Sequence, residues 1–197
     1  MKVAIIKYNA GNVYSVYYAL KRLGIEAELT DDKNVLSTAD KVIFPGVGEA
    51  QTTMQYLRTR QLDQLIQSLK QPVLGICLGM QLMCQHSEEG NAEGLNIFPT
   101  DVLLFKPNNN EKVPHMGWNT IKPTNDPLMK GIQASDYVYF VHSYYVPMCP
   151  YTIAQTDYVQ PFSAALHKDN FYATQFHPEK SGKIGEQILE NFLNLQI

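Results

Sequence analysis

The chain has 197 residues, 45% of them hydrophobic and 18% charged, which is ordinary for a globular protein of one domain and enough to bury a core without disulfides or metals. Its formal net charge is -3 and its lysines and arginines are scattered, so the clustered positive footprint of a nucleic-acid binder is missing. No apolar run approaches membrane-spanning length, and three cysteines without metal-ligand spacing fit a reducing compartment, with the cytoplasm as the default location.

Val3 to Ile6 is expected as a first buried strand, since the apolar run is too short for a secretory leader and ends in Tyr8-Asn9-Ala10-Gly11-Asn12. Val13, Val16, Tyr17, Leu20 and Leu23 then recur at helical spacing, predicting a helix over Asn12 to Leu23 with Gly24 as its C-terminal cap. Glu26 to Thr30 and Lys41 to Phe44 are predicted strands, the latter broken by Pro45-Gly46-Val47-Gly48. Leu62, Leu65, Ile66 and Leu69 mark another helix face leading into a strand from Pro72 to Ile76. This alternation is the signature of βαβ units around a mainly parallel sheet.

Beyond about residue 98 the texture changes to strands separated by turn clusters such as Pro107-Asn108-Asn109-Asn110 and Pro123-Thr124-Asn125-Asp126-Pro127. Tyr137 to Val141, Tyr151 to Thr156, Phe162 to His167 and Phe171 to Phe176 are predicted strands, rich in aromatic and β-branched residues. A last helix is expected from Lys183 to Leu195. The predicted fold is therefore α/β, a mainly parallel central sheet flanked by helices with antiparallel strands added in the C-terminal half, forming a single domain over residues 1–197.

The chemistry concentrates at Gly75-Ile76-Cys77-Leu78-Gly79. An apolar strand running into this segment has the nucleophile-elbow pattern with cysteine in place of serine, and the flanking glycines admit the sharp turn. The sulfur would sit at the start of the helix beginning near Leu78, where unpaired N–H groups favour a thiolate. Free cysteines more often pack as small hydrophobes, which is the expectation for Cys84 and Cys149. Cys77 and Cys84 lie two helical turns apart, about 10 Å, too far for a bridge.

A cysteine nucleophile is served by a general base whose tautomer is fixed by a third group. His177-Pro178-Glu179 follows a predicted strand at the carboxyl end where open α/β sheets place their sites. Residues i and i+2 of an extended segment point the same way, so Glu179 can reach a ring nitrogen of His177. Gly46 and Gly48 give the loop after the third strand freedom to aim N–H groups at a developing oxyanion. His86, His115, His142 and His167 lack zinc-site spacing and are expected to be structural or on the surface. Trp118 is read first as a core residue, with an interface anchor as the competing reading.

Taken together, Pro45-Gly46-Val47-Gly48, Gly75-Ile76-Cys77-Leu78-Gly79-Met80-Gln81 and His177-Pro178-Glu179 resemble the class I (triad) glutamine amidotransferases. Within that family, Tyr8 to Asn12, Val113 to Asn119 and His177-Pro178-Glu179-Lys180-Ser181 are similar to the glutaminase subunits of imidazole glycerol phosphate synthase, over essentially the whole chain. The resemblance implies glutamine hydrolysis through a Cys77 glutamyl thioester, with His177 as acid and base and Glu179 orienting it. It implies oxyanion donors at Leu78 and Val47, and glutamine contacts from Gly46, Gly48, Gln81, Glu89 and the backbone of Ser143 and Tyr144. No cofactor and no metal is implied.

The resemblance also implies a partner. The cyclase subunit, a (βα)8 barrel, would form a heterodimer with this chain and receive its ammonia in histidine biosynthesis. Members of the family are generally poor glutaminases until that partner is bound and loaded, which predicts a loop at Pro45 to Gly48 that must reorient an N–H. Asn12, Trp118, Tyr139 and Lys180 are the interface candidates. The same elbow and base would serve a cysteine hydrolase of another class, or a glutaminase of a different synthase, equally well.

Overall fold

The computed structural model of the chain describes residues 1–8, 13–107 and 111–196. Asn12, the stretch before it and the Asn108 to Asn110 turn cluster lie outside the described residues. The first half runs β1 (Val3–Ile6), α1 (Val13–Arg22), β2 (Ala27–Thr30), α2 (Lys33–Thr38), β3 (Lys41–Phe44), α3 (Ala50–Thr59), α4 (Leu62–Ser68), β4 (Val73–Ile76) and α5 (Leu78–Met83). The second runs β5 (Cys84–Ser87), β6 (Ala92–Glu93), β7 (Phe98–Leu104), β8 (His115–Thr120), β9 (Lys122–Pro123), β10 (Tyr137–His142), β11 (Tyr144–Tyr145), β12 (Thr152–Asp157), β13 (Pro161–Lys168), β14 (Phe171–Thr174) and α6 (Gly182–Leu193).

The main sheet has the order β2-β1-β3-β4-β14-β13-β12-β9. Pairing is parallel from β2 to β14 and antiparallel from β14 outward, as the change in sequence texture predicts. Strands β1, β3, β4 and β14 are buried at every position, because central parallel strands have both faces covered and so read as continuous apolar runs. Alternation still decides which side each residue serves. Val3 and Ile5 join Val16, Leu20, Ile188 and Phe192 of α1 and α6, whereas Ala4 and Ile6 join Leu36, Met54, Leu57 and Ile66 of α2, α3 and α4 on the other face.

Helix α1 ends as expected at Gly24, whose φ of 76° permits the bonds Gly24 N–H to Lys21 and Ile25 N–H to Leu20. Helices α2 and α3 were not predicted. Asp32 and Glu49 cap them, each accepting two backbone N–H groups. The buried face of α3 is Ala50, Thr53, Met54 and Leu57, correctly spaced but half composed of weakly apolar residues, so its periodicity is faint.

Two smaller sheets complete the chain, β11-β7-β5-β6 and the antiparallel ribbon β10-β8. The ribbon corrects the first reading of Trp118. Among the described residues strand β8 pairs only with β10, and Met116 and Trp118 project from its outer face, 63% and 55% exposed, rather than entering the core. The predicted strand to Phe176 ends as a regular strand at Thr174: Gln175 N–H still bonds to the Ala164 carbonyl of β13 at 2.8 Å, but by His177 the backbone has turned to β10, where its N–H bonds to the Tyr139 carbonyl at 2.9 Å. Tyr139 N–H in turn bonds to Ser181 Oγ at 2.9 Å, tying the ribbon to the segment that carries His177.

Candidate active site

Cys77 stands between β4 and α5 with φ 52° and ψ -106°, a left-handed backbone that is strained for a residue with a side chain. Its N–H is held by the Thr174 carbonyl at 2.7 Å. The neighbouring glycines are required by close approach: a Cβ on Gly79 would strike the Phe44 carbonyl, and one on Gly46 would strike the backbone of Leu78 and Gly79. The end of β3, the Gly46 loop and the elbow therefore interlock without intervening side chains.

His177 follows β14, and its Nδ1 donates to Glu179 Oε1 at 2.8 Å, with the two side chains only 2% and 3% exposed. The Nε2 atom is buried and has the Cys77 side chain as its hydrogen-bonding neighbour. Burial alone would depress the His177 imidazolium, but the charge of a neighbouring Cys77 thiolate and the bond to Glu179 outweigh it and push the ring up to about 10. A buried thiol beside a ring that readily holds a proton is the arrangement needed for thiolate attack and for protonating a leaving amine.

A cavity of about 330 Å³ opens over the sulfur, lined by Gly46, Val47, Gly48, Cys77, Leu78, Gln81, Glu89, Ser143, Tyr144 and His177. The fold thus gathers the sequence-predicted residues of this set around one pocket, of a size suited to a small metabolite. Glu89 Oε2 accepts the N–H of Ala50 at 3.0 Å. Burial, followed by nearby Glu49, raises the Glu89 carboxyl against the opposing effect of that bond. Gln81 is more committed than its expected role suggests: its Nε2 already donates to the Tyr144 carbonyl and to Gln175 Oε1, both at 3.0 Å.

Three groups in and around this pocket were missed by sequence reasoning. Tyr8, 5% exposed, donates its hydroxyl to the Pro45 carbonyl at 2.6 Å. The Val47 N–H bonds to the same hydroxyl, partly offsetting the rise in the Tyr8 pKa that burial and then Cys77 impose. The Val47 N–H is therefore turned toward Tyr8 in this arrangement. His142 Nδ1 donates to the Tyr144 carbonyl at 2.7 Å, and its Nε2 accepts from His115 Nδ1 at 3.1 Å. Burial holds both rings neutral, lowering His142 to about 3 and His115 to about 4. The third is Gln175, fully buried behind Cys77. The expected pairing of His177 and Glu179 is present, although a short 3-10 turn over Pro178–Lys180 rather than strand alternation brings Glu179 to the ring; no local pattern marks partners that lie far apart in sequence.

Of the interface candidates, Trp118 packs edge-on against Tyr139 with centroids 6.0 Å apart. Tyr139 is half-buried, and Lys180 sits half-buried in the turn Pro178–Lys180 beside Glu179. Asn12 lies outside the described residues. Among the described residues there is no group of three or more His, Cys, Asp or Glu that could hold a metal ion, and no helix is long and apolar enough to cross a membrane.

Residues 4–195 match the glutamine amidotransferase class-I family, and the chain belongs to that family. A solved structure of a glutamine amidotransferase has the same fold, with a TM-score of 0.74 at 19% identity, covering 97% of this chain and 96% of that one. More specifically, the sequence is 67% identical over 196 residues to the imidazole glycerol phosphate synthase subunit HisH of Bacteroides thetaiotaomicron, covering 99% of this chain and all of the relative. The protein of the same name from Colwellia psychrerythraea is 46% identical over 210 residues, covering 98% of this chain and 93% of the relative.

Proposed function

We propose that the chain is the glutaminase subunit of imidazole glycerol phosphate synthase, a single domain working in the cytoplasm. The observation that carries the reaction is the buried Cys77, His177 and Glu179 constellation on a strained elbow at the floor of a metabolite-sized pocket. The Cys77 thiolate attacks the carboxamide carbon of glutamine, and the carbonyl electrons move onto oxygen. His177, holding its proton with the help of Glu179, delivers it to the departing nitrogen, and ammonia leaves a glutamyl thioester. Water, deprotonated by the now neutral His177, then releases glutamate and restores the sulfur.

Leu78 N–H, at the start of α5, is the standing oxyanion donor, and Val47 N–H is the second. The hold of Tyr8 on Val47 supports a resting state in which that second donor is withheld. The ammonia is passed to a cyclase subunit, a (βα)8 barrel bound as a heterodimer across the face bearing Trp118, Tyr139 and Lys180, with Asn12 near the mouth. Ammonia made at neutral pH is mostly protonated in solution and lost as a nucleophile, so an enclosed handover is chemically favoured.

The test is glutamate production by the chain alone and mixed with the histidine-pathway cyclase subunit, with and without the cyclase's acceptor substrate. Strong stimulation by that subunit and loss of at least about a thousandfold in Cys77→Ala are the expected results. Full turnover by the isolated chain would refute the gating, and stimulation only by a different synthase would refute the assignment of the partner.

A further inference from the structure

We infer that Gln175 is a further catalytic residue of this site, its side-chain amide donating a hydrogen bond to the Cys77 sulfur and favouring the thiolate that attacks the substrate. The inference rests on the reading of Cys77 as the nucleophile and deepens it. Gln175 is wholly buried, its backbone N–H is fixed to the Ala164 carbonyl at 2.8 Å, and its Nε2 lies 3.7 Å from Cys77 Sγ.

The direction of that bond follows from its surroundings. The Tyr144 carbonyl can only accept, so the Gln81 atom 3.0 Å from it must be the amide nitrogen. That same nitrogen lies 3.0 Å from the Gln175 side chain, so Gln175 must turn its oxygen toward Gln81 and its NH2 group toward sulfur. On its other side the Tyr144 carbonyl is pinned by His142 Nδ1 at 2.7 Å. With every donor assigned, the chain of bonds cannot be reversed without leaving buried polar atoms facing like atoms.

Besides His177, the sulfur has another polar neighbour, which shows why this matters. The Val141 carbonyl, 3.9 Å away, can only accept and so suits the protonated thiol. An N–H bond gains strength when its acceptor becomes charged, so Gln175 acts in the opposite sense to Val141. It also joins the sulfur to Gln81 and Tyr144, which line the substrate pocket.

The experiment is alkylation of Cys77 by iodoacetamide in the full chain across a pH series, in wild type, Gln175→Leu and Gln175→Glu. The leucine removes the donor, while the glutamate keeps the size and the acceptor for Gln81 but turns a carboxylate toward the sulfur. At about pH 6.5 the variants are expected to react about tenfold more slowly, with the Gln175→Leu deficit shrinking to within about twofold at about pH 9.5. Unchanged rates overturn the inference, and so does an equal loss at every pH, which marks a merely structural role. Should Gln175→Leu fail to fold, judged by circular dichroism, Gln175→Glu decides alone: slowing that eases with rising pH supports the inference. Labelling of wild-type Cys77 by a diazoketone glutamine analogue separates the two levels, since absence of label refutes the nucleophile itself, whereas label with unchanged variant rates refutes only the role of Gln175.

Discussion

The Tyr8 hydroxyl holds both the Pro45 carbonyl and the Val47 N–H of the loop beside the nucleophile. Phenylalanine at this position keeps the ring, which packs edge-on against Phe44, and removes only that hold. A buried hydrogen bond is worth about 1 kcal/mol, so Tyr8→Phe is expected to raise partner-free glutamine hydrolysis by about fivefold, and an unchanged or reduced rate would show that Tyr8 does not restrain the loop. The buried histidines make a separate prediction. His142 at about 3 and His115 at about 4 stay neutral in the fold, while the unfolded chain takes up protons at both near the ordinary value of about 6.5. Stability therefore rises with pH across that window and is lost as pH falls through it. His167 has the opposite sign, since the hydrogen bond to Asp126 raises it, and its contribution fades as pH rises through its folded value. Urea midpoints measured from about pH 4 to 7 should climb with pH and flatten in His115→Gln, and a profile unchanged by that substitution would remove His115 from the account.

At the level of elements, the site depends on how closely β3, the Gly46 loop and α5 approach. A methyl on Gly79 meets the Phe44 carbonyl, a backbone group that cannot swing aside. Gly79→Ala should cost about 3 kcal/mol in denaturant unfolding, the upper range for forcing extra volume into a packed region, and a loss below about 1 kcal/mol would mean that the elbow can relax. The strands of the parallel region and helices α1, α4 and α6 were legible because burial on one or both faces imprints a pattern on consecutive residues. Helices α2 and α3 were not, because their caps at Asp32 and Glu49 carry the signal while their buried faces are short or weakly apolar. The Gly75 to Gly79 elbow was legible for a different reason: its constraint is local backbone geometry.

Across the whole molecule, the β10-β8 ribbon carries an outward face on which Met116, Trp118 and Tyr137 remain exposed, next to the segment bearing His177. Such a cluster is costly to leave in water and suits burial against the proposed partner. Because Trp118 packs little within the chain, Trp118→Ala should leave the melting temperature nearly unchanged while weakening association with the cyclase by about thirtyfold, near 2 kcal/mol. Unaltered affinity would place the interface elsewhere.

The sequence by itself determined the α/β class, the elbow at Cys77, the His177 and Glu179 pair and the resemblance to the class I amidotransferases, all of which are written in residues a few positions apart. Only the tertiary structure decided that Trp118 faces outward, that Tyr8 engages the Pro45 to Gly48 loop, and that Gln81 and His142 line the pocket with Gln175 and His115 behind them. The physical reason is that a side chain's direction depends on which strand its own strand pairs with. Gln81 and Gln175 meet across 94 positions of chain, and only the pairing of β4 with β14 brings them together.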